Sequence, residues 1–188
     1  MITLVFNSTP LIYLTKAKVL SLIEKIYAEK LIPETVFYEV AVKGKKIGAP
    51  DAFLIEDLIN KKILTVKKPK KTKSVTHFLE NPNIHKADAE VLALAEEFDG
   101  IAILDDDEAR AMADIENIEN GGSLYVLFTM LNQKIISKKD VRNAVDKMIK
   151  AGWRCSTELY AEIIKVLEKF RKRNRSDEVK RGSRKSCN

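Results

Sequence analysis

The sequence predicts an α/β fold in which helices cover a central parallel sheet. Short apolar runs, each suited to one buried strand, alternate along the chain with longer segments of helical periodicity. That alternation is typical of βαβ units, whose parallel strands are buried on both faces. The length of 188 residues suits one domain with its own core. We predict that this domain covers residues 1–170 and that residues 171–188 form a basic, disordered tail.

The N-terminal third begins with a strand over 2–6 and a helix. Ser8 or Thr9 is the predicted N-cap, and Pro10 lies in the first turn, where its missing N–H is tolerated. The next predicted elements, in chain order, are a helix break near 16–18, a strand at 31–32, a helix from Pro33 to Gly44, a helix over 49–62 capped near Asp51, and a strand at 63–66.

The rest of the chain contains one further predicted strand and ends in a helical C-terminal third. The segment 86–100 has a strong apolar stripe and ends at a glycine, which predicts an amphipathic helix. The apolar run 101–104 predicts a buried strand. The remaining predicted elements are helices that begin near 105–107, at 123, at 137 and at 156.

The net charge of +6 comes from the tail and not from the rest of the chain. Residues 171–188 contain eight Lys/Arg and two Asp/Glu, so the first 170 residues carry 25 basic and 25 acidic side chains. A second basic run, over 67–73, contains five lysines. Both runs are suited to phosphate binding through counterion release, and a solvated charged surface is the alternative explanation for each.

Polar side chains follow two of the predicted strands. Asn7 follows the first strand, and a run of three aspartates, Asp105, Asp106 and Asp107, follows the strand at 101–104. Ligands of an open parallel sheet bind beyond the carboxyl ends of the strands. Capping the next helix needs one aspartate. Because adjacent carboxylates repel one another, capping alone does not account for three.

Two acids on predicted helices belong near the same edge of the sheet. Asp88 lies in the first turn of the helix over 86–100, where an acid also complements the helix dipole. Glu39 lies next to the apolar residues Phe37 and Val40, with an exposed helical glutamate as the alternative. Together with the polar strand ends, these positions predict one acidic pocket.

Converging carboxylates predict a site for Mg²⁺ or Mn²⁺. Hard cations of this kind take oxygen ligands and keep several waters. They lower the pKa of a water molecule and stabilise the leaving oxygen when a phosphodiester is cleaved. The predicted metal ligands are Asn7, Glu39, Asp88, Asp105 and Asp106.

Four blocks follow one another in a distinctive order: FNSTPLIYLTKA, IPETVFYEVAVKG, KADAEVLALAEE and ILDDDEARAMAD. Two later segments, GGSLYVLFTMLNQKIIS and AGWRCSTELY, complete the series. Over about residues 2–168 this series resembles PIN-domain proteins. The series is similar to the branch of predicted nucleic-acid-binding proteins close to the VapC-like toxin ribonucleases. The ordered set of blocks is more specific than any single block.

The resemblance implies a Rossmann-like three-layer α/β/α sandwich with a central parallel sheet, and Mg²⁺- or Mn²⁺-dependent cleavage of single-stranded RNA. It implies catalytic roles for Asp88, Asp105, Asp106 and Glu39, which match the family's acids. It further implies a homodimer and, for toxin members, an antitoxin partner. The candidate RNA contacts are Ser8, Thr9, Lys67, Lys68, Lys70, Lys71, Lys73, Arg110 and Ser123.

Asn7 departs from the family's pattern, in which the first acid is an aspartate. An amide keeps one oxygen for a metal but carries no charge, so both metal affinity and activation of water are expected to fall. Two functions therefore stay open. One is a weakened metal-dependent endoribonuclease, and the other is a catalytically inactive module that binds RNA or a protein.

The sequence also predicts a cytoplasmic protein that does not enter a membrane. No basic and apolar leader precedes the first strand, and no apolar run approaches the ~18 residues of a membrane span. Cys155 and Cys187 fit no metal spacing, so we expect two reduced thiols.

Overall fold

A computed structural model describes residues 1–46 and 48–182, with backbone alone for Pro50 and for residues 171–182. The chain divides into two compact units. The first is Met1–Ala151, and the second begins at Gly152. All the predicted site residues lie in the first unit.

The first unit is built on a five-stranded, all-parallel sheet with strand order β3-β2-β1-β4-β5. Its central strands are almost wholly buried, as expected for a parallel sheet covered on both faces. The predicted parallel sheet is confirmed. The strands are β1 (Thr3–Phe6), β2 (Glu29–Pro33), β3 (Thr65–Lys67), β4 (Ile101–Ile103) and β5 (Asn120–Gly121).

Helices precede and follow the strands in the alternation that the sequence predicts. They are α1 (Ser8–Lys16), a 3₁₀-helix (Leu20–Lys25), α2 (Glu34–Phe37), a π-helix (Tyr38–Lys43), α3 (Gly44–Lys46), α4 (Pro50–Asn60), α5 (Thr72–Phe78), α6 (Lys86–Glu97), α7 (Asp107–Ile115), α8 (Ser123–Asn132), α9 (Lys138–Lys150) and α10 (Thr157–Gly182).

The helices form two layers around the sheet, so the architecture is the predicted three-layer α/β/α sandwich. Helix α6 packs against β1, β2 and β4, and its apolar side Val91, Leu92 and Leu94 is fully buried. Helices α1, α8 and α9 pack on one another, and α8 also contacts β4 and β5. The predicted break after α1 is confirmed by Lys18, whose φ of 62° ends the helix.

Several helix boundaries differ from the prediction. The N-cap of α1 is Asn7, whose side chain accepts a hydrogen bond from the backbone of Ser8. Helix α4 begins at Pro50, preceded by Ala49 and not capped by Asp51. The helix predicted to end at Gly44 continues to Lys46, because Gly44 keeps helical dihedrals. A Cβ at Gly44 would lie only 3.0 Å from the Cβ of Ala52, so the two helices pack closely at this glycine.

The lysine-rich segment and one strand also differ from the prediction. Part of the segment 67–73, predicted as a loop, forms the end of β3 and the start of α5. Strand β5 was not predicted, because it is only the dipeptide Asn120–Gly121. A pair this short, without an apolar residue, has no periodicity to detect.

The order of the strands places a crevice between β1 and β4. The chain builds β1, β2 and β3 outward in one direction and then returns to add β4 and β5 on the other side of β1. Such a reversal of strand order opens a crevice at the carboxyl ends of the two strands. Phe6 pairs with Ile103 at this edge, so Asn7 and the aspartates after β4 emerge next to each other.

The predicted tail begins within helix α10, and the boundary at residue 170 stays a prediction. Residues 183–188 lie outside the described residues. Within the described ranges, no helix combines the length and apolarity that crossing a bilayer requires.

Candidate functional site

Asn7 links strand β1 to both neighbouring helices at the crevice. Its backbone N–H continues the sheet by donating to the carbonyl of Ile103 over 3.0 Å. Its side-chain Nδ2 donates to Oδ1 of Asp88 over 2.6 Å, and its Oδ1 accepts from the N–H of Ser8 at 2.8 Å. The buried amide therefore acts at once as the cap of α1 and as the donor that orients Asp88.

Asp88 is a buried carboxyl group at the first turn of α6, only 6% exposed. Its second oxygen, Oδ2, accepts from the backbone N–H of His85 over 3.0 Å. Burial raises the pKa of Asp88 above its ordinary value of 3.8, and the charge of Asp106 raises it further. The hydrogen bonds from His85 and Asn7 act in the opposite direction but do not cancel the increase.

Asp105 is held by the start of helix α8. Its two oxygens accept from the backbone N–H and from the hydroxyl of Ser123, over 2.7 and 2.6 Å. Ser123 is fully buried. The preceding Gly122 allows this close approach, since a Cβ there would lie 2.6 Å from Oδ1 of Asp105.

The other two aspartates of the triplet have different surroundings. Asp106 is the N-cap of α7 and accepts from the N–H of Ala109 over 3.0 Å. It is also near enough to Asp88 for its charge to act on that buried group. The exposed Asp107 pairs with Arg110 within α7.

Glu39 reaches the same region from the π-helix. It accepts a short hydrogen bond of 2.5 Å from the hydroxyl of Ser8, the first residue of α1. Single turns of π-helix occur frequently at functional sites. Thr9, the next candidate contact, is exposed. The structure therefore connects Glu39, Ser8, Asn7 and Asp88 through consecutive hydrogen bonds and adds Asp106 through its charge.

The acids of this site have only neutral donors. Among the described residues, Glu39, Asp88, Asp105 and Asp106 take part in none of the salt bridges. Amide, hydroxyl and backbone donors orient a carboxylate without neutralising its charge. The crevice therefore combines carboxylate oxygens with negative charge that the nearby charge of His85 offsets only in part.

Asp88 and Asp106 are two carboxylates of this crevice, and the charge of Asp106 acts on Asp88. Mg²⁺ is commonly bound through one or two carboxylates and completes its shell with water and substrate oxygens. In the part of the chain that the structure describes, no three His, Cys, Asp or Glu side chains lie together as a metal-binding group. The side chains have local partners instead. Asp105 accepts a hydrogen bond from Ser123, Glu39 accepts one from Ser8, and an amide occupies position 7.

The lysine segment, residues 67–73, lies at the other end of α6. The Lys70 backbone N–H donates to Glu97, and the Lys71 ammonium is 3.8 Å from Glu96. The Lys67 ammonium lies 4.3 Å from the ring centroid of Phe98. Glu96 is eight residues beyond Asp88, which corresponds to about 12 Å along a helix. The lysine segment is thus separate from the acids, and Lys68, Lys70 and Lys73 are exposed there.

Two contributors to the site were not predicted from the sequence. One is the backbone N–H of His85, which holds Asp88. The other is Gly122, which leaves room for Asp105. The Gly-Gly-Ser sequence carried a signal for the second, because glycine before a helix often marks a close approach of backbone to another group.

Comparison with known proteins agrees with the fold and with the ordered sequence blocks. A family model described as PIN domain matches residues 3–169, which is most of the chain. The search of curated proteins returned no match. PIN domains have a nuclease-type fold, and the acids described above stand at its crevice. The chain belongs to the PIN-domain family.

Proposed function

We propose that this PIN domain is an endoribonuclease that uses Mg²⁺ or Mn²⁺ to cleave single-stranded RNA, with activity weakened by Asn7. The observation that carries the proposal is the pair Asp88 and Asp106. Burial and the charge of Asp106 both raise the pKa of Asp88, and the charge of His85 offsets only part of that rise. Among the described residues, neither carboxylate takes part in a salt bridge. A divalent cation would stabilise the ionised form of both carboxyl groups.

In this proposal the residues of the chain divide into ligands and residues that position them. Asp88 and Asp106 hold the ion, with Glu39, Asp105 and the Asn7 oxygen as further ligands. A bound ion supplies charge stabilisation at phosphate oxygens and lowers the pKa of water. Ser123 and Ser8 hold Asp105 and Glu39 through the hydrogen bonds described above, and both carboxylates would have to turn from these partners to reach a shared ion.

A second function, RNA binding or protein interaction without catalysis, is favoured by one observation. The Asn7 amide donates to Asp88, so a neutral hydrogen bond holds the buried carboxylate. An aspartate at position 7 could not donate in this way and would add a second charge beside Asp88. The Asn7 amide thus reduces the free energy that the site would gain by binding a cation.

Cleavage of a fluorescent single-stranded RNA with Mn²⁺ tests the proposal. We expect slow cleavage by the wild type and none by the double variant Asp105→Asn, Asp106→Asn. Asp107→Asn is the matched control, since Asp107 pairs with Arg110, and it should cleave like the wild type. Equal trace activity in the wild type and the double variant would assign that activity to a contaminant.

The substitution Asn7→Asp separates the two functions. It removes the donor to Asp88 and adds a charge, so in chelator the variant should melt at a lower temperature than the wild type. If the site binds a cation, Mn²⁺ should restore the melting temperature and cleavage should rise about tenfold or more. A variant that gains neither would support the binding function.

The proposal includes the remaining implications of the resemblance. These are a VapC-like branch, an antitoxin partner, a homodimer and a cytoplasmic location. Light scattering of the purified chain measures the dimer directly, and co-purification with the product of a neighbouring gene tests for the antitoxin.

A further inference from the structure

Glu90 lies on α6, two residues after Asp88, and protein atoms cover most of its side chain. Only 12% of that side chain is exposed. Its Oε2 accepts a hydrogen bond from the backbone N–H of Thr35 over 3.3 Å, and its Oε1 is 3.8 Å from the ammonium of Lys86. The proposed nuclease gives this carboxylate no role, although it is the acid nearest to Asp88 along the chain.

The contact with Thr35 satisfies the start of helix α2. The first N–H groups of a helix have no partner within it, and Pro33, the N-cap of α2, provides no side-chain acceptor. Thr35 is the second residue of α2, so Glu90 supplies from α6 the acceptor that the local sequence lacks. The dipole of the helix also favours a carboxylate at this end. Glu90 therefore caps α2 from a different element of the fold.

Helix α2 leads without interruption to Glu39. The chain passes from α2 directly into the π-helix Tyr38–Lys43. Glu39 is four residues after Thr35, which is about one helical turn. A shift of the start of α2 is therefore transmitted to the backbone of Glu39.

Two separate paths connect Glu39 with Asp88. On one side, hydrogen bonds run from Asp88 through Asn7 and the adjacent Ser8 to Glu39. On the other side, the hydrogen bond of Glu90 joins α6 to the helical segment that carries Glu39. The two paths close a ring of contacts around the acids. A carboxylate held from both sides can shift less than one held from a single side.

We propose that Glu90 is a positioning residue that sets the separation of Glu39 and Asp88 by capping α2. Its contribution is an acceptor oxygen at the correct reach, and not its charge. Glu39 must turn from Ser8 to reach a shared ion, so the position of its backbone decides whether it arrives. The inference rests on the proposed function for its catalytic consequence, but the capping requires neither a metal nor RNA.

Amide hydrogen exchange of the full chain in chelator, followed by NMR, tests the capping. We expect the Thr35 amide to exchange about tenfold faster in Glu90→Ala, which corresponds to the usual effect of a lost helix cap. Glu90→Asp keeps the charge but shortens the side chain by one methylene group, so it should behave like the alanine variant. Glu90→Gln loses the charge but keeps an oxygen at the same reach, so its exchange should match the wild type.

The control for the ion pair is Lys86→Ala. Lys86 is exposed, and its removal leaves the hydrogen bond to Thr35 intact, so exchange of the Thr35 amide should not change. Wild-type exchange in both Glu90→Ala and Glu90→Asp would overturn the inference. So would a Glu90→Gln variant that exchanges as fast as Glu90→Asp or faster, since the charge of Glu90 would then be what matters.

The kinetics of RNA cleavage with Mn²⁺ test the catalytic consequence. In Glu90→Ala and Glu90→Asp we expect kcat to fall about tenfold or more, with KM within about twofold of the wild type, and Glu90→Gln should retain kcat. Asp140→Ala is the control for a general loss of stability. Asp140 accepts from the backbone N–H of Ser137 at the start of α9, a helix that carries none of the predicted site residues. It should melt at a lower temperature and keep the wild-type kcat.

The two measurements distinguish this inference from the proposed nuclease activity. Faster exchange at Thr35 in the alanine and aspartate variants of a chain that never cleaves RNA would contradict the nuclease and support the capping of α2 by Glu90. Cleavage that the Asp105→Asn, Asp106→Asn variant loses, with kcat unchanged in Glu90→Ala and Glu90→Asp, would support the nuclease and contradict the positioning role.

Discussion

Each acid at the crevice is oriented by a neutral partner, and this determines what a single residue can do there. A hydroxyl or amide donor fixes the direction of a carboxylate and leaves its negative charge available to a ligand. A lysine or arginine at the same distance would compete with a cation for the charge. The geometry of the site consequently depends on small residues. Replacing one of them changes the positions of the carboxylates more than their charge, and Gly122 is the clearest example.

Gly122→Ala tests this dependence. The new Cβ would lie 2.6 Å from Oδ1 of Asp105 and 3.2 Å from the carbonyl oxygen of Leu104. We expect the free energy of unfolding in urea to fall by about 1–3 kcal/mol, the usual cost of an overpacked site. If the proposed nuclease is correct, RNA cleavage should fall as well, because Asp105 must move.

Gly48→Ala is the control for this variant. Gly48 has a φ of +69°, so alanine is strained there, but no atom lies within 4 Å of the new Cβ. It should lose stability and retain cleavage. A Gly122→Ala protein as stable as the wild type would show that Asp105 is not held as tightly as the structure indicates.

Helices α5 and α7 are joined by one histidine. His77, on α5, places Nε2 2.9 Å from Glu116, the residue that follows α7, and Nδ1 3.6 Å from Glu80. The hydrogen bond to Glu116 is the largest cause of a raised pKa for His77, followed by the charge of that glutamate. This contact connects the helix after the lysine segment to the helix that Asp106 caps.

The His77–Glu116 contact predicts a pH dependence. Because the folded-state pKa is raised, the stability contributed by this contact is fully present below the ordinary value of 6.5 and disappears as the pH rises through the folded value. An NMR titration should give a His77 midpoint above 6.5 in the wild type and a lower midpoint in Glu116→Gln. Glu80→Gln should change the midpoint less, and a wild-type midpoint at or below 6.5 would contradict the contact.

The sequence was sufficient for the elements with strong periodicity and insufficient for those defined by contacts. Helix α6 combines an apolar stripe with an acid in its first turn, so both its existence and its start were predictable. The π-helix that carries Glu39 was not, because its residues have no spacing that distinguishes it from an α-helix. The cap of α1 was predicted one or two residues late, at Ser8 or Thr9, because these two hydroxyls offered equally good caps.

The whole first unit separates its acidic groups from its lysine segment along the length of α6. Asp88 lies at the start of this helix, and Glu96 and Glu97, which anchor the lysine segment, lie at its end. Sequence analysis identified both groups of residues but could not give the distance between them, since that distance follows from the direction of α6 relative to the sheet. A single-stranded nucleic acid that contacted both the acids and the lysine segment would extend along the length of α6.

Replacing the exposed lysines of the segment tests that path. In the triple variant Lys68→Gln, Lys70→Gln, Lys73→Gln, RNA affinity should fall, and the slope of log K against log salt should decrease by about 0.7 for each phosphate that a lysine no longer neutralises. The control is Lys25→Gln, Lys62→Gln, Lys134→Gln, which removes three exposed lysines elsewhere with the same change in net charge. If both triple variants lose equal affinity, the segment has no special role and only the total charge matters.

The double use of the Asn7 amide has a consequence for how this protein matures. In a pocket made entirely of carboxylates, mutual repulsion would be relieved by a bound ion or by a shared proton, so assembly would depend on one of these. Here the Asn7 side chain, at the end of β1, caps helix α1 and donates a hydrogen bond to Asp88 without a bound ion. In the proposed nuclease, an ion would therefore bind to a strand end and helix start that are already in place.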